Sequence, residues 1–343
     1  MVFFGKIAAV VFAWGAYVVL RLAGWKRKTV MANAKHVAGA FPQVIPAAFS
    51  TASNAAPDAS NAAPNASTAV PVNYDELLFN LTSHVGELLF CFGIFKKLPH
   101  DFSAYPCCVD GWTFDIAEGS APVLEKMRKG GIFLTAHYGN YEAMGPWLCR
   151  LGIPLVASYI PVKPKWLNNI LERKIRAVDG RSYSVDARTP RDFLRILNDG
   201  KLFCLLSDQD SRIPSAIDGT LLGQPANVNP LPDFLLEHRP QTPVFICWME
   251  EICGVRVLHA VEVERAQVPS SAYFEDSAQS KVASSAHLAS PAHFAQSEKE
   301  PKTAPSIVNT QFNKWLEQRI LENPNLWYSF THRRFYSRNA EIY

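Results

Sequence analysis

The segment from residue 130 to residue 142, GGIFLTAHYGNYE, restricts the fold of this chain more than any other stretch. An apolar run ends at His137, and Glu142 follows five residues later. On one continuous helix, five steps of about 100° place the two side chains roughly 140° apart, so they cannot meet there. A buried strand over 132–136, a Gly-Asn turn and a helix that begins near Glu142 can bring them together. The segment therefore predicts a strand–turn–helix unit with His137 at the end of the strand.

The pair of His137 and Glu142 has two interpretations. In the first, the Glu142 carboxylate accepts one ring N–H of His137, which fixes the tautomer and leaves the other ring nitrogen as a base. In the second, a histidine close to a glutamate arises by chance, since the chain has nine histidines. Site residues favour the carboxyl ends of strands in α/β folds, and other segments of this chain add to the first interpretation.

Helical and extended patterns alternate along the remaining chain. Apolar periodicity predicts helices over 74–92, 166–178, 189–200 and 231–239. Short apolar runs predict strands over 131–136, 154–160, 201–207, 242–250 and 255–265. Helices and strands that alternate along the chain are typical of an α/β fold. We therefore expect a mixed, largely parallel sheet flanked by helices.

Composition agrees with one large folded unit. With 343 residues, 48% of them hydrophobic and 19% charged, the chain can bury a full α/β core. The net charge of +3 is too small to indicate a nucleic-acid partner. Seven cysteines without a C-x-x-C pair indicate reduced thiols in a cytosolic compartment and no zinc site.

Residues 1–25 are almost wholly apolar and predict an N-terminal transmembrane anchor. The charge-free stretch 7–20 is short for a span of about 20 residues, but Lys6 and Arg21 at its ends can reach the interfaces. A cleaved signal peptide is the alternative. Against it, no small-residue cleavage site follows, and the strongest basic cluster, at 26–28, comes after the apolar run. That cluster predicts that residues 26–343 stay on the cytoplasmic side.

Two stretches, 46–72 and 266–306, consist largely of alanine, serine, asparagine and proline. They carry few large apolar residues and cannot offset the entropy of ordering. We therefore expect disordered inserts within the domain at 46–72 and 266–306.

A second polar group, Asp208, Gln209 and Asp210, directly follows the predicted strand over 201–207. Acidic residues at a strand end can orient a polar substrate, hold a metal or cap a turn. Because no further carboxylates lie nearby in the sequence, no metal site is predicted.

Four blocks of this chain, taken in order, resemble the late acyltransferases of lipid A biosynthesis, the lauroyl and myristoyl transferases of the Gram-negative inner membrane. The blocks are WKRKTVMANAKHVAGAFP (25–42), TAHYGNYEAMG (135–145), NDGKLFCLLSDQD (198–210) and NPNLWYSFTHRRFYSR (323–338). They cover the chain from about residue 25 to residue 338 outside the two inserts. One family feature is missing, since no arginine stands in 159–164 after the second strand.

The resemblance implies a glycerolipid acyltransferase-like fold and transfer of a fatty acyl chain. The donor would be an acyl carrier protein thioester, and the acceptor a hydroxyl of a lipid A precursor, a membrane glycolipid. His137 and Glu142 would form the catalytic dyad, without any cofactor. The enzyme would work at the bilayer of the cell inner membrane, with its catalytic domain on the cytoplasmic side.

The resemblance also suggests residues that contact the substrates. Candidate substrate-binding residues are Asn140, Arg173, Arg176, Asp208, Gln209, Asp210, Arg333 and Arg334. Arg173 and Arg176 are candidate cations for the oxyanion, although a solvated helix face explains them equally well. Arg333 and Arg334, with His332, either bind lipid phosphates or meet anionic headgroups. Three apolar residues near the dyad, Phe133, Trp147 and Leu148, are candidates for an acyl slot or are plain core.

Three other functions remain open at this stage. The chain could acylate another glycolipid or a lysophospholipid from an acyl-CoA donor. It could be an inactive membrane-anchored binding protein, although an intact His137 and Glu142 argue against that. It could also be a hydrolase that uses the same dyad to activate water.

Overall fold

The computed structural model describes residues 2–40, 72–265 except positions 160, 162, 164 and 214, and 306–343. The inserts predicted at 46–72 and 266–306 lie outside the described residues, apart from their last positions.

A mixed sheet forms the centre of the fold. The strands in chain order are β1 (Cys107–Val109), β2 (Trp112–Ile116), β3 (Gly131–Thr135), β4 (Leu155–Ser158), β5 (Ala177–Val178), β6 (Arg181–Ser182), β7 (Ser184–Val185), β8 (Leu202–Leu206), β9 (Ile217–Leu221), β10 (Gln224–Val228), β11 (Val244–Ile252) and β12 (Val255–Glu262). Eight of them make one sheet in the order β1-β2-β12-β11-β3-β8-β4-β7. Only β1–β2 and β11–β12 are antiparallel in it, and its other pairs are parallel. The predicted α/β fold with a largely parallel sheet is confirmed.

Helices cover both faces of this sheet. In chain order the described α-helices are α1 (Val2–Leu22), α2 (Arg27–Ala40), α3 (Tyr74–Phe90), α4 (Ser120–Met127), α5 (Tyr141–Arg150), α6 (Lys165–Ile170), α7 (Pro190–Asn198), α8 (Leu231–His238) and α9 (Ile307–Glu322). The helix predicted over 166–178 ends early, because the chain widens into a π-turn at Leu171–Ile175 and then enters β5. At α7 the prediction holds to within two residues, since Thr189 and Asp192 form a capping box at its start.

The central strand β3 is buried along its whole length, and its side chains alternate between two apolar cores. Ile132 and Leu134 belong to one core, which also contains side chains of α3 and α9. Phe133 belongs to the other, with side chains of α4 and α5. A period of two on a strand with both faces covered produces this division. The end of β3 is thereby held rigidly between two packed layers.

Two glycines allow the start of β3 to lie very close to the neighbouring backbone segments. Gly130 has φ +87°, and a Cβ there would come within 2.5 Å of the Gly200 carbonyl oxygen. Gly131 has φ +137°, and a Cβ there would lie 2.7 Å from the Pro243 carbonyl oxygen. Any other residue at either position would push β3 away from its neighbours.

The N-terminal helix α1 packs against α3. Ala9 and Ala13 of α1 are buried, and a Cβ on Gly86 of α3 would come within 2.6 Å of the Ala9 carbonyl oxygen. Small residues on the facing sides allow this close approach. Among the described residues, one helix, with its apolar window at Phe4–Leu22, is long and apolar enough to cross a membrane, and 11% of that window is buried.

Candidate active site

His137 and Asp208 meet at the carboxyl edge of the sheet. His137 follows β3 and Asp208 follows β8, and these two strands pair in parallel with Thr135 opposite Leu206. The His137 backbone N–H donates to Asp208 Oδ2 over 3.1 Å. The His137 ring contacts the same carboxylate, with Nδ1 2.8 Å from Oδ1. Two bonds to one carboxylate hold the imidazole with Nδ1 as its donor and Nε2 as the nitrogen with the lone pair.

The expectation that Glu142 accepts the ring N–H of His137 is wrong, because Asp208 occupies that position. After Gly139 (φ +58°) the chain turns into α5, and Glu142 lies in the first turn of that helix. Its carboxylate pairs with Arg176, with Nη2 2.6 Å from Oε1 and Nε 3.4 Å from Oε2. Glu142 acts on the imidazole only through space, where its charge helps to raise the pKa of His137.

Asp208 is fully buried and is held by four hydrogen-bond donors. Besides the two from His137, Trp327 Nε1 donates to Oδ2 over 2.9 Å and Ser329 Oγ over 2.6 Å. Burial by itself raises the pKa of this carboxyl, but His137 and the donors Ser329 and Trp327 outweigh burial and hold it well below its usual range. Asp208 therefore stays ionised and can stabilise a protonated His137.

Opposing effects set the pKa of His137. Burial lowers it, whereas the charge and hydrogen bond of Asp208, together with the charge of Glu142, raise it to a net value above the ordinary 6.5. The side chain keeps about a fifth of its surface exposed. No described atom makes a hydrogen bond to Nε2, so this nitrogen is available to a substrate.

The C-terminal segment closes the site from one side. The Tyr328 N–H donates to the His137 carbonyl over 2.8 Å, and the Gly139 N–H donates to the Leu326 carbonyl over 2.9 Å. An isolated antiparallel bridge pairs Tyr138 with Trp327. The segment thus extends the edge of the sheet and carries Trp327 to Asp208. Trp327 and Ser329 both lie in the block at 323–338, but no role was predicted for either of them. The only sequence signal for a role of Trp327 and Ser329 is their position close to the candidate residues Arg333 and Arg334.

A cavity of about 360 Å³ opens beside His137. Its lining is mainly apolar and includes Phe133, Met144, Leu155, Ala157 and Leu206. Of the three candidates for an acyl slot, Phe133 lines this cavity, whereas Trp147 and Leu148 are fully buried in the core and do not line it.

Polar groups of the cavity include Glu142, Arg176 and Tyr183. Arg176 also lies over the Tyr159 ring, with its guanidinium carbon 5.5 Å from the ring centroid. Tyr183 is buried, and its hydroxyl has no hydrogen-bond partner among the described residues. Burial and the charge of Glu142 raise the pKa of Tyr183 well above 10, so the phenol remains protonated.

Two further candidates lie outside the cavity. Asn140 is buried, and its Nδ2 donates to Glu87 Oε2 over 2.9 Å, while Arg256 Nη2 contacts the other oxygen of Glu87 over 2.8 Å. This interaction ties the turn after His137 to α3. Arg173 is exposed on the π-turn after α6 and does not line the cavity.

The remaining candidates surround the C-terminal segment. Asp210 Oδ2 accepts hydrogen bonds from Ser337, over 2.8 Å from Oγ and 3.1 Å from N–H, so it fixes that segment. Gln209 is half-buried, and Arg333 is exposed. Arg334 is buried, and its Nε and Nη1 have no hydrogen-bond partner among the described residues.

Taken together, the geometry provides a general base beside an apolar cavity with one paired cation. In the part of the chain that the structure describes, no group of three or more His, Cys, Asp and Glu side chains could hold a metal ion. The His137–Asp208 pair has a geometry suited to proton transfer, in which Asp208 would stabilise the imidazolium.

Comparison with known proteins adds no assignment to this geometry: no protein-family model matches the chain, and a search of the curated proteins finds no match.

Proposed function

We propose that this protein is a membrane-anchored acyltransferase that moves a fatty acyl chain from an acyl carrier protein thioester to a hydroxyl of a lipid A precursor. The observation that carries the proposal is the His137–Asp208 pair beside a mainly apolar cavity of about 360 Å³. A base next to an apolar slot suits the acylation of a hydroxyl with a fatty chain. The four sequence blocks that resemble lipid A late acyltransferases support this choice of donor and acceptor.

In the proposed reaction, His137 Nε2 removes the proton of the acceptor hydroxyl as its oxygen attacks the thioester carbonyl carbon. A C–O bond forms, and the carbonyl oxygen becomes an oxyanion. When the intermediate collapses, the C–S bond breaks and the thiolate takes the proton from His137. The Asp208 carboxylate stabilises the transient imidazolium throughout, since both its charge and its hydrogen bond favour the protonated ring.

The oxyanion needs a positive group, and Arg176 is the better placed of the two candidate arginines. Arg176 lines the same cavity as His137, whereas Arg173 does not. Its ion pair with Glu142, 2.6 Å between Nη2 and Oε1, fixes the guanidinium while leaving its other N–H groups to donate. Thioester carbonyl, base and cation can then share one cavity.

The test uses the full chain in membranes with a radiolabelled acyl carrier protein thioester, the matching acyl-CoA and a panel of acceptors. The acceptors are a lipid A precursor, a phosphatidylinositol mannoside and a lysophospholipid, and mass spectrometry identifies the product. His137→Ala is compared with His238→Ala, because His238 is exposed on α8 and hydrogen-bonds only to its own helix.

The proposal expects an acylated lipid A precursor from the carrier-protein donor and loss of at least about 10²-fold in turnover for His137→Ala only. Product from acyl-CoA and a different acceptor would keep the chemistry and replace the substrates. Release of free fatty acid with no acylated acceptor would identify a hydrolase. No turnover with any pair, together with binding of the acceptor, would indicate an inactive binding protein and refute the proposal.

A further inference from the structure

The N-terminal helix α1 presents an apolar stripe to the solvent. Ile7, Val11, Trp14, Val18 and Leu22 are all exposed, from 45% to 81% of their surface. Their spacing of three and four residues places them on one side of the helix. Val85, Leu89 and Phe90 of α3 are also exposed, so the apolar surface continues onto the neighbouring helix. A contiguous exposed apolar surface over two helices indicates contact with an apolar partner.

The opposite side of α1 packs against the rest of the protein. Its small buried residues pack on α3 near Gly86, and Gly5 approaches the Phe90 carbonyl oxygen, where a Cβ would lie at 2.9 Å. At the other end of α1, Arg21 Nε donates to Asp75 Oδ1 at the start of α3, over 2.8 Å. The two helices are therefore antiparallel and in contact along their length.

Both ends of α1 contact the same folded unit. Lys6 Nζ donates to the Gly111 carbonyl over 3.1 Å, in the turn between β1 and β2, and lies 5.0 Å from the Trp112 ring centroid. The other end is held by the Arg21–Asp75 pair. With a rise of 1.5 Å per residue, the helix is about 30 Å long, which equals the thickness of a bilayer hydrocarbon core. A helix that crossed this core would have its two ends on opposite sides of it.

We infer that α1 lies in the plane of the membrane interface, with its stripe of Ile7, Val11, Trp14, Val18 and Leu22 in the lipid, and does not cross the bilayer. Crossing would carry α3, which packs along α1, through the hydrocarbon with ionisable side chains such as Glu87, and such groups are costly there. Crossing would also place the β1–β2 turn and the Arg21–Asp75 pair on opposite sides of the bilayer, although both belong to one folded unit. Lying flat buries the stripe and leaves these polar contacts outside the hydrocarbon.

The charges beside α1 identify a lipid surface as the partner. Lys26, Arg27 and Lys28 follow the end of α1 and are all exposed. Three cations at the edge of an apolar helix face complement anionic headgroups at the level of the interface. An apolar stripe with basic residues at its end is the pattern of helices that lie on membranes. The inference concerns attachment only and does not depend on the proposed acyl transfer.

Spin labels placed along the stripe measure the orientation directly. Cysteines replace Ile7, Val11, Val18 and Leu22 one at a time in the full chain, with the exposed Cys108 and Cys253 changed to serine. Each labelled protein is bound to vesicles of phosphatidylethanolamine and phosphatidylglycerol. Oxygen and nickel-chelate accessibility then give the depth of each label, and a label at the exposed Lys201 on the amino edge of β8 serves as control.

An in-plane helix gives four similar depths, all about 5–10 Å below the headgroup boundary. A spanning helix has its middle near residue 12 and rises 1.5 Å per residue. In a core about 30 Å thick it gives unequal depths, with the label at position 11 about 13 Å deep, those at 7 and 18 about 7 Å deep, and the one at 22 within about 1 Å of the boundary. The second pattern would overturn the inference. So would failure of the full chain to bind the vesicles at all. The depth measurement does not depend on enzymatic turnover. It therefore distinguishes the two orientations even if the protein is not an acyltransferase.

Discussion

Replacing Asp208 with asparagine tests the geometry of the site most directly, because the side chain keeps its size and loses its charge. In the structure, Oδ2 accepts from Trp327, Ser329 and the His137 backbone, while Oδ1 accepts from His137 Nδ1. An asparagine that turns its carbonyl oxygen to the first three donors turns its NH₂ group toward Nδ1. Nδ1 must then accept, the ring proton moves to Nε2, and the base loses its lone pair.

The expected loss of turnover is large. General base catalysis contributes about 10²–10⁴-fold, and the same change in a Ser-His-Asp site lowers kcat by about 10⁴-fold through the same tautomer error. We therefore expect Asp208→Asn to lower kcat by about 10²–10⁴-fold. The pH profile should move as well, since the carboxylate raises the pKa of His137 and burial lowers it. The base works when neutral, so the rising limb of the residual activity should shift to lower pH.

Steady-state acyl transfer over a pH series measures both effects. The matched control is Asp233→Asn, which makes the same chemical change at a half-buried carboxylate that hydrogen-bonds to Ser306, away from the cavity. Its kcat and pH profile should stay close to those of the wild type. If folded Asp208→Asn retained kcat within about threefold of wild type, a span well below any general-base contribution, the assignment of Asp208 to His137 would be refuted.

Three further changes give smaller but specific outcomes. In Gly145→Ala, the new Cβ would come within 2.3 Å of the Tyr183 hydroxyl, so we expect the cavity to narrow and kcat/KM to fall more for long-chain than for short-chain donors. An equal loss of kcat/KM for donors of every acyl-chain length would show that the acyl chain binds outside this cavity. The raised pKa of His137 means that its charged form stabilises the fold fully below about pH 6.5, and that this stabilisation disappears as the pH rises through the folded-state pKa. The Tm difference between wild type and His137→Gln should therefore shrink with rising pH, and a difference that grew would contradict the ion pair. In Val11→Glu, loss of an apolar contact worth about 1.5 kcal/mol should weaken vesicle binding roughly tenfold in a sedimentation assay, with Lys201→Glu as control. Unchanged sedimentation would contradict the insertion of this stripe into the membrane.

Much of the fold was predictable because its strands carry their own periodicity. The strand at 131–136 and the helix at 74–92 agree with β3 and α3 to within two residues. The short strand β5 was not predictable, since Ala177–Val178 continues a helical apolar pattern until the π-turn interrupts it. The packing of α1 was also missed. Its signal, Ala9 and Ala13 one helical turn apart, is too weak in an apolar segment to indicate which side faces protein.

The site was predictable in its residues but not in its pairing. The sequence places His137 and Asp208 each at the end of an apolar strand, yet it does not say which strands are neighbours. The sheet order places β8 beside β3, although β4 follows β3 in the chain. Trp327 and Ser329 are more distant still, since they reach Asp208 from more than a hundred residues away. Tertiary packing alone determines those contacts.

The H-x4-E spacing nevertheless has a physical purpose in this arrangement. Glu142 lies in the first turn of α5, where the partial positive charge of the helix N-terminus favours a carboxylate, and there it pairs with Arg176. Its own charge is largely neutralised by that arginine, whereas the charge of Asp208 is met by the imidazole and by neutral donors. In the proposed reaction the two carboxylates therefore serve different charges: Asp208 would stabilise the proton that His137 accepts, and Glu142 would hold the Arg176 cation that faces the developing oxyanion. A single carboxylate shared by His137 and Arg176 could not do both, because protonation of the imidazole would weaken its hold on the arginine.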